Sequence, residues 1–124
     1  MATWGQLAED NRLAAYETFE KWRWRTCISR AYYAVFSAAT EALAKQGVTM
    51  PKGQNSPSHK KVPVLVGNNL TGVSHPLRWR LARLVGRLYT MRLQADYMPD
   101  WPLEEADARD ALGLMSAAFR CLRR

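Results

Sequence analysis

Ile28, Tyr32, Val35, Ala39 and Leu43 recur at three- and four-residue steps, with Ala31, Ala34, Ala38 and Ala42 among them, and this run constrains the fold more than any other feature of the chain. Such spacing puts the large side chains on one face of an α-helix, while the alanines widen the apolar arc and let neighbouring helices come close. The run is therefore expected to form a central helix over about residues 21–45, ended by a left-handed C-cap at Gly47. No stretch alternates apolar and polar residues in the manner of a strand.

Four more helices are expected. The first covers about residues 3–20. A short one starts from an N-cap at Ser58 and runs to about residue 70, with Pro63 limiting its regularity. The fourth starts at Ser74, with Pro76 in its first turn, and runs to about residue 96. The last begins near Pro102, with Glu104, Glu105 and Asp107 at its start and Arg120, Arg123 and Arg124 at its end, as the helix dipole favours. Residues 48–57, rich in Gly, Pro, Lys, Asn and Ser, read as an exposed connection. A chain of 124 residues with 48% hydrophobic content is enough for one all-α domain over residues 1–124, a helical bundle of four to five helices.

Several classes are disfavoured. No run of about 18 apolar residues is present, and Met1-Ala2-Thr3-Trp4 lacks the layout of a signal peptide, so a cytoplasmic protein without membrane attachment is expected. Cys27 and Cys121 lie far apart inside helical patterns with no histidine at ligand spacing, and read as small buried thiols. Without a P-loop, zinc spacing, Ser-His-Asp order or Rossmann glycines, no metal or cofactor is expected.

The net charge is +7, and its distribution is uneven. Between Glu41 and Asp96 there is no acid, while Lys45, Lys52, Lys60, Lys61, Arg78, Arg80, Arg83, Arg87 and Arg92 all fall in that interval. A field of one sign attracts polyanions, nucleic acid or nucleotide above all; a solvated face or the dock for an acidic protein gives the same pattern. On a wheel of the fourth helix, at about 100° per residue, Leu77, Leu81, Leu84, Leu88, Met91 and Ala95 share an arc that also contains Arg92. Arg80, Arg83 and Arg87 form a stripe elsewhere, suited to phosphate contacts. A cation in the apolar arc needs a partner, which Asp96 one turn on can supply. The pair reads either as an ion pair fixing the helix end, with Tyr97 beside it, or as a groove arginine oriented by Asp96 to grip phosphate through two parallel hydrogen bonds.

Two segments, Arg30-Ala31-Tyr32-Tyr33-Ala34-Val35-Phe36 and Arg92-Leu93-Gln94-Ala95-Asp96-Tyr97, resemble the HEPN superfamily, in particular its small prokaryotic toxin–antitoxin branch. The resemblance implies a HEPN-like up-and-down bundle, a homodimer, RNA or nucleotide as ligand, and a nucleotidyltransferase antitoxin as partner. HEPN ribonucleases carry R-x4-6-H at a dimer groove. Arg92 matches that arginine, and Tyr97 stands where the histidine would be. Metal-independent RNA cleavage needs an acid or base beside a cation, and tyrosine is a poor base near neutral pH. His59 and His75 are the only histidines, and His59 is preferred because related members open their short third helix on a similar Ser-His stretch. The candidate catalytic set is therefore Arg92, Asp96, Tyr97 and His59, and the candidate nucleic-acid contacts are Arg30, Tyr33, Arg80, Arg83 and Arg87. The resemblance implies buried structural roles for Tyr32 and Phe36. Arg30 stands in one stripe with Tyr33, Ser37 and Glu41, which reads as an Arg–Glu network, a dimer contact or part of the groove. Five tryptophans exceed what a small core requires; Trp79, opposite the apolar arc, is expected to anchor a dimer through the second and fourth helices. The alternative function is a non-catalytic helical scaffold or regulator acting through protein contacts.

Overall fold

The computed structural model describes residues 1–50 and 56–123. Part of the predicted connection, including Lys52, and the terminal Arg124 lie outside the described residues. The rest forms α1 (Trp4–Glu20), α2 (Trp24–Lys45), a 3₁₀ turn (His59–Lys61), α3 (Val62–Asn69), α4 (His75–Tyr97) and α5 (Glu105–Leu122), with no strand among the described residues. This is the expected all-α bundle.

Local chemistry accounts for the helix ends. Thr3 and Gln6 form a reciprocal capping box at the start of α1, and Glu104 with Asp107 does the same for α5. Pro63 and Pro76 sit in the first turns of α3 and α4, where a missing N–H costs nothing. Two expectations are corrected. α2 begins at Trp24 rather than at residue 21, because Lys21-Trp22-Arg23 forms the turn out of α1. Ser58 precedes a 3₁₀ turn and its hydroxyl makes no capping bond.

α1 and α2 both end in a left-handed residue. After α2, Gly47 (φ 79°) donates its N–H to Ala44 O, and Val48 N donates to Leu43 O. After α1, Trp22 (φ 61°) donates to Phe19 O, and Arg23 N donates to Thr18 O. Both are Schellman motifs. Glycine adopts that conformation freely, whereas tryptophan pays roughly 1 kcal/mol for it.

α2 packs against all four other α-helices. Ile28, Ala31, Tyr32, Val35, Ala39 and Leu43 are fully buried, and Phe36 nearly so. The wide apolar arc is thus consumed inside the chain, and what α2 leaves open is the half-exposed side that carries Arg30, Tyr33, Glu41 and Ala42. Trp79 is not a free anchor either: its indole lies against Gly67, where any side chain on α3 would collide with it. Arg78 reinforces that contact by donating to Gly67 O and Val73 O. Trp4 and Trp24 also pack on the core, leaving Trp22 and Trp101 as the exposed tryptophans. Cys27 and Cys121 are buried free thiols, and desolvation pushes Cys27 up to about 11.

Candidate functional site

Arg92 lies in the buried face of α4 with 9% of its surface exposed. It donates Nε–H to Asp96 Oδ2 at 2.9 Å, and Nη2–H to the hydroxyl oxygens of Tyr33 at 2.7 Å and Tyr97 at 3.1 Å. Ser29 on α2 donates to the same Asp96 oxygen at 3.1 Å. Burial works against the cation, but Tyr33, Tyr97 and Asp96 outweigh it and keep Arg92 charged. Nη1 makes no hydrogen bond with any described residue, so one edge of the guanidinium remains available.

Tyr33 is shared by two arginines, with Arg92 Cζ 5.1 Å and Arg30 Cζ 5.2 Å from its ring centre. Arg30 donates to Asn11 Oδ1 at 2.9 Å, which ties the stripe on α2 to α1. The Arg–Glu network considered from sequence does not form: Glu41 pairs instead with Lys45. On the other side of the tyrosines, His59 packs on Phe36 with ring centres 4.2 Å apart, and its Nδ1 shares a 2.7 Å hydrogen bond with the Tyr32 hydroxyl. Burial, and secondarily the charge of Arg92, holds the His59 pKa below the ordinary imidazole value. The ring is therefore neutral at pH 7. Burial raises the Tyr32 hydroxyl, which keeps its proton. A cleft of about 330 Å³ opens on the Tyr33 and His59 side of this cluster, lined in part by Arg30, Tyr33, His59, Asn11 and Trp4; Arg92, Asp96 and Tyr97 do not line it.

Arg92, Asp96, Tyr97, His59, Arg30 and Tyr33 thus come together from α2, the 3₁₀ turn and α4. The stripe does not join them. Arg80, Arg83 and Arg87 are exposed, about 120–180° around α4 from Arg92. Arg87 reaches Asp110 on α5 at 3.1 Å, and Arg80 borders a crevice with Ala117 and Arg120. The acid-free segment is thereby partly neutralised by one carboxylate from the last helix, Asp110. His75 tilts toward Trp79, away from the cluster.

One residue escaped sequence reasoning. Arg25, in the first turn of α2, donates from Nη1 to the carbonyls of Gln94, Ala95 and Met98 and from Nη2 to those of Pro99 and Trp101. It caps the end of α4 and thereby positions Asp96 and Tyr97. Its sequence signal was a local mismatch: a cation, Arg25, stands in the first turn of α2 behind an arginine N-cap and with no acid, against the helix dipole.

In chemical terms the arrangement is a fixed guanidinium with a free edge, two aromatic hydroxyls and a neutral imidazole beside an open cleft. It can hold an anionic oxygen and stack a planar group. Among the described residues no three His, Cys, Asp or Glu side chains converge as metal ligands, and no helix is long and apolar enough to cross a membrane.

The sequence profile described as HEPN domain matches residues 1–124. A protein of Methanocaldococcus jannaschii named as a "putative toxin" is 31% identical over 100 residues, which span 81% of this chain and 69% of that protein. No solved structure matches the chain.

Proposed function

The chain belongs to the HEPN domain family, and on that premise we propose that it binds RNA, with Arg92 holding a backbone phosphate as the toxin-like component of a toxin–antitoxin pair. The observation that carries this reading is the Arg92 guanidinium: Asp96, Tyr33 and Tyr97 fix it through Nε and Nη2, while Nη1 has no described partner. A guanidinium fixed in this way keeps the planar fork that phosphate recognition uses. The name of the Methanocaldococcus relative supports the toxin-like role. The partner that fits this role is a nucleotidyltransferase antitoxin, and the acting form is a homodimer.

Cleavage would require a group that moves a proton. Tyr97 is 65% exposed and bonded to Arg92, so it can donate a hydrogen bond but is a poor base. His59 is the group that could move a proton, since its Nε2 has no described partner while Tyr32 holds Nδ1. The competing reading, a non-catalytic scaffold working through protein contacts, draws its support from Tyr97 in the place where HEPN ribonucleases have histidine.

Fluorescence anisotropy with a labelled single-stranded RNA tests the binding. Wild type is expected to bind with a marked salt dependence, and Arg92→Lys, which keeps the charge but loses the planar fork, to bind about tenfold more weakly. Absence of RNA binding by wild type at low salt, or equal binding by Arg92→Lys and Arg92→Gln, overturns the proposal. Tyr97→His, assayed on a fluorogenic RNA, separates the two readings of the chemistry. A gain of cleavage supports a nuclease scaffold, and no gain favours binding without cleavage.

A further inference from the structure

The turn between α1 and α2 spends stability that it could have kept. Both α1 and α2 end in the same Schellman motif, yet one takes glycine in the left-handed position, Gly47, and the other takes Trp22. Trp22 is the one non-glycine residue with positive φ among the described residues. Contacts within the chain do not compensate: its side chain is 78% exposed, it stacks on no other described aromatic ring, and it is absent from the residues packed on the core. Strain kept at an exposed aromatic points to a use outside the folded chain.

The surroundings specify that use. Lys21 and Arg23 flank Trp22 directly, both are exposed, and neither is in an ion pair with a described residue. The Arg25 bonds bring this turn to the end of the bundle that carries Tyr97 and Trp101, both exposed, and Ser29 on α2 already touches Asp96. An exposed indole on a fixed backbone turn, between two cations with no described ion-pair partner, matches an unpaired base and the phosphates on either side of it.

We infer that Lys21-Trp22-Arg23 is a stacking subsite for single-stranded RNA, with an unpaired base on the Trp22 indole and flanking phosphates on Lys21 and Arg23. This rests on the RNA reading of the Arg92 site and extends the same ligand to a second contact. A duplex, whose bases are already stacked, gains little from it.

The test compares wild type, Trp22→Gly, Trp22→Phe and Arg92→Gln on a labelled single-stranded RNA of mixed sequence and on the same strand annealed to its complement. Trp22→Gly relieves the left-handed strain, so its Tm is expected to hold or rise while its affinity for the single strand falls on the order of fivefold to a hundredfold. Affinity for the duplex changes by less than about twofold, and Trp22→Phe keeps most of the single-strand affinity. Lys21→Gln with Arg23→Gln flattens the salt dependence by about one to two phosphate contacts. Unchanged single-strand affinity in Trp22→Gly, with Arg92→Gln weakened, removes this subsite alone and assigns the exposed indole to a protein partner. A Tm lowered by several degrees in Trp22→Gly makes the residue structural and also overturns the inference. Wild type that binds no RNA removes the Arg92 reading and the subsite with it.

Discussion

Arg92→Ala tests how strongly this site is built into the fold. The change deletes three donated hydrogen bonds and the cation over the rings of Tyr33 and Tyr97. It leaves Asp96 with the Ser29 hydroxyl as its remaining described partner. Breaking a fully buried ion pair costs about 3–5 kcal/mol. The Asp96 side chain is 27% exposed, so water recovers part of that, and about 2 kcal/mol remains. Loss of the buried arginine stem adds about 1 kcal/mol. The expected total, about 3 kcal/mol, lowers Tm by roughly 10–15 °C for a chain of this length. Thermal unfolding followed by circular dichroism at pH 7, with urea titrations as a second measure, reads it directly. Arg92→Ala with Asp96→Ala together should cost less than the sum of the two single changes, since the double variant strands no carboxylate. A Tm within about 3 °C of wild type for Arg92→Ala, or strict additivity in the cycle, would refute the reasoning and make Arg92 a solvent-supported side chain.

The remaining predictions concern groups around the site and in the core. Thr40 is buried and its hydroxyl has no partner among the described residues, so Thr40→Val should raise Tm by about 3–5 °C, worth about 1 kcal/mol; a lower Tm would show that the hydroxyl is bonded. Gly67→Ala sets a methyl against the Trp79 indole, and a loss of about 1–3 kcal/mol is expected from urea unfolding, whereas an unchanged midpoint would mean the indole can move aside at no cost. For His59 the folded pKa lies below the unfolded one, so the unfolded chain takes up the proton first and stability falls as pH drops through about 6.5. The Tm advantage of wild type over His59→Gln should therefore shrink between pH 7.5 and pH 5, and a constant difference counts against a desolvated imidazole.

The α-helical class, the central position of the Ile28–Leu43 run, the glycine stop at Gly47 and the pairing of Arg92 with Asp96 were all legible in the sequence. Each depends on residues within about four positions of one another, and periodicity or capping chemistry carries that range. Tertiary structure alone decided the rest. That His59 joins Arg92 through Tyr32 and Tyr33, that Arg25 caps α4 from α2, and that Trp79 is spent on Gly67 are contacts between segments far apart in the chain. A wheel drawn on one helix cannot say which helix covers which face. The separation of the Arg80, Arg83 and Arg87 stripe from the Arg92 cluster could be read as an angle, but its partial neutralisation by Asp110 could not. Trp22 marks the boundary between the two kinds of knowledge: local sequence placed it near a helix junction, and only backbone geometry showed it standing, strained and exposed, where glycine would be expected.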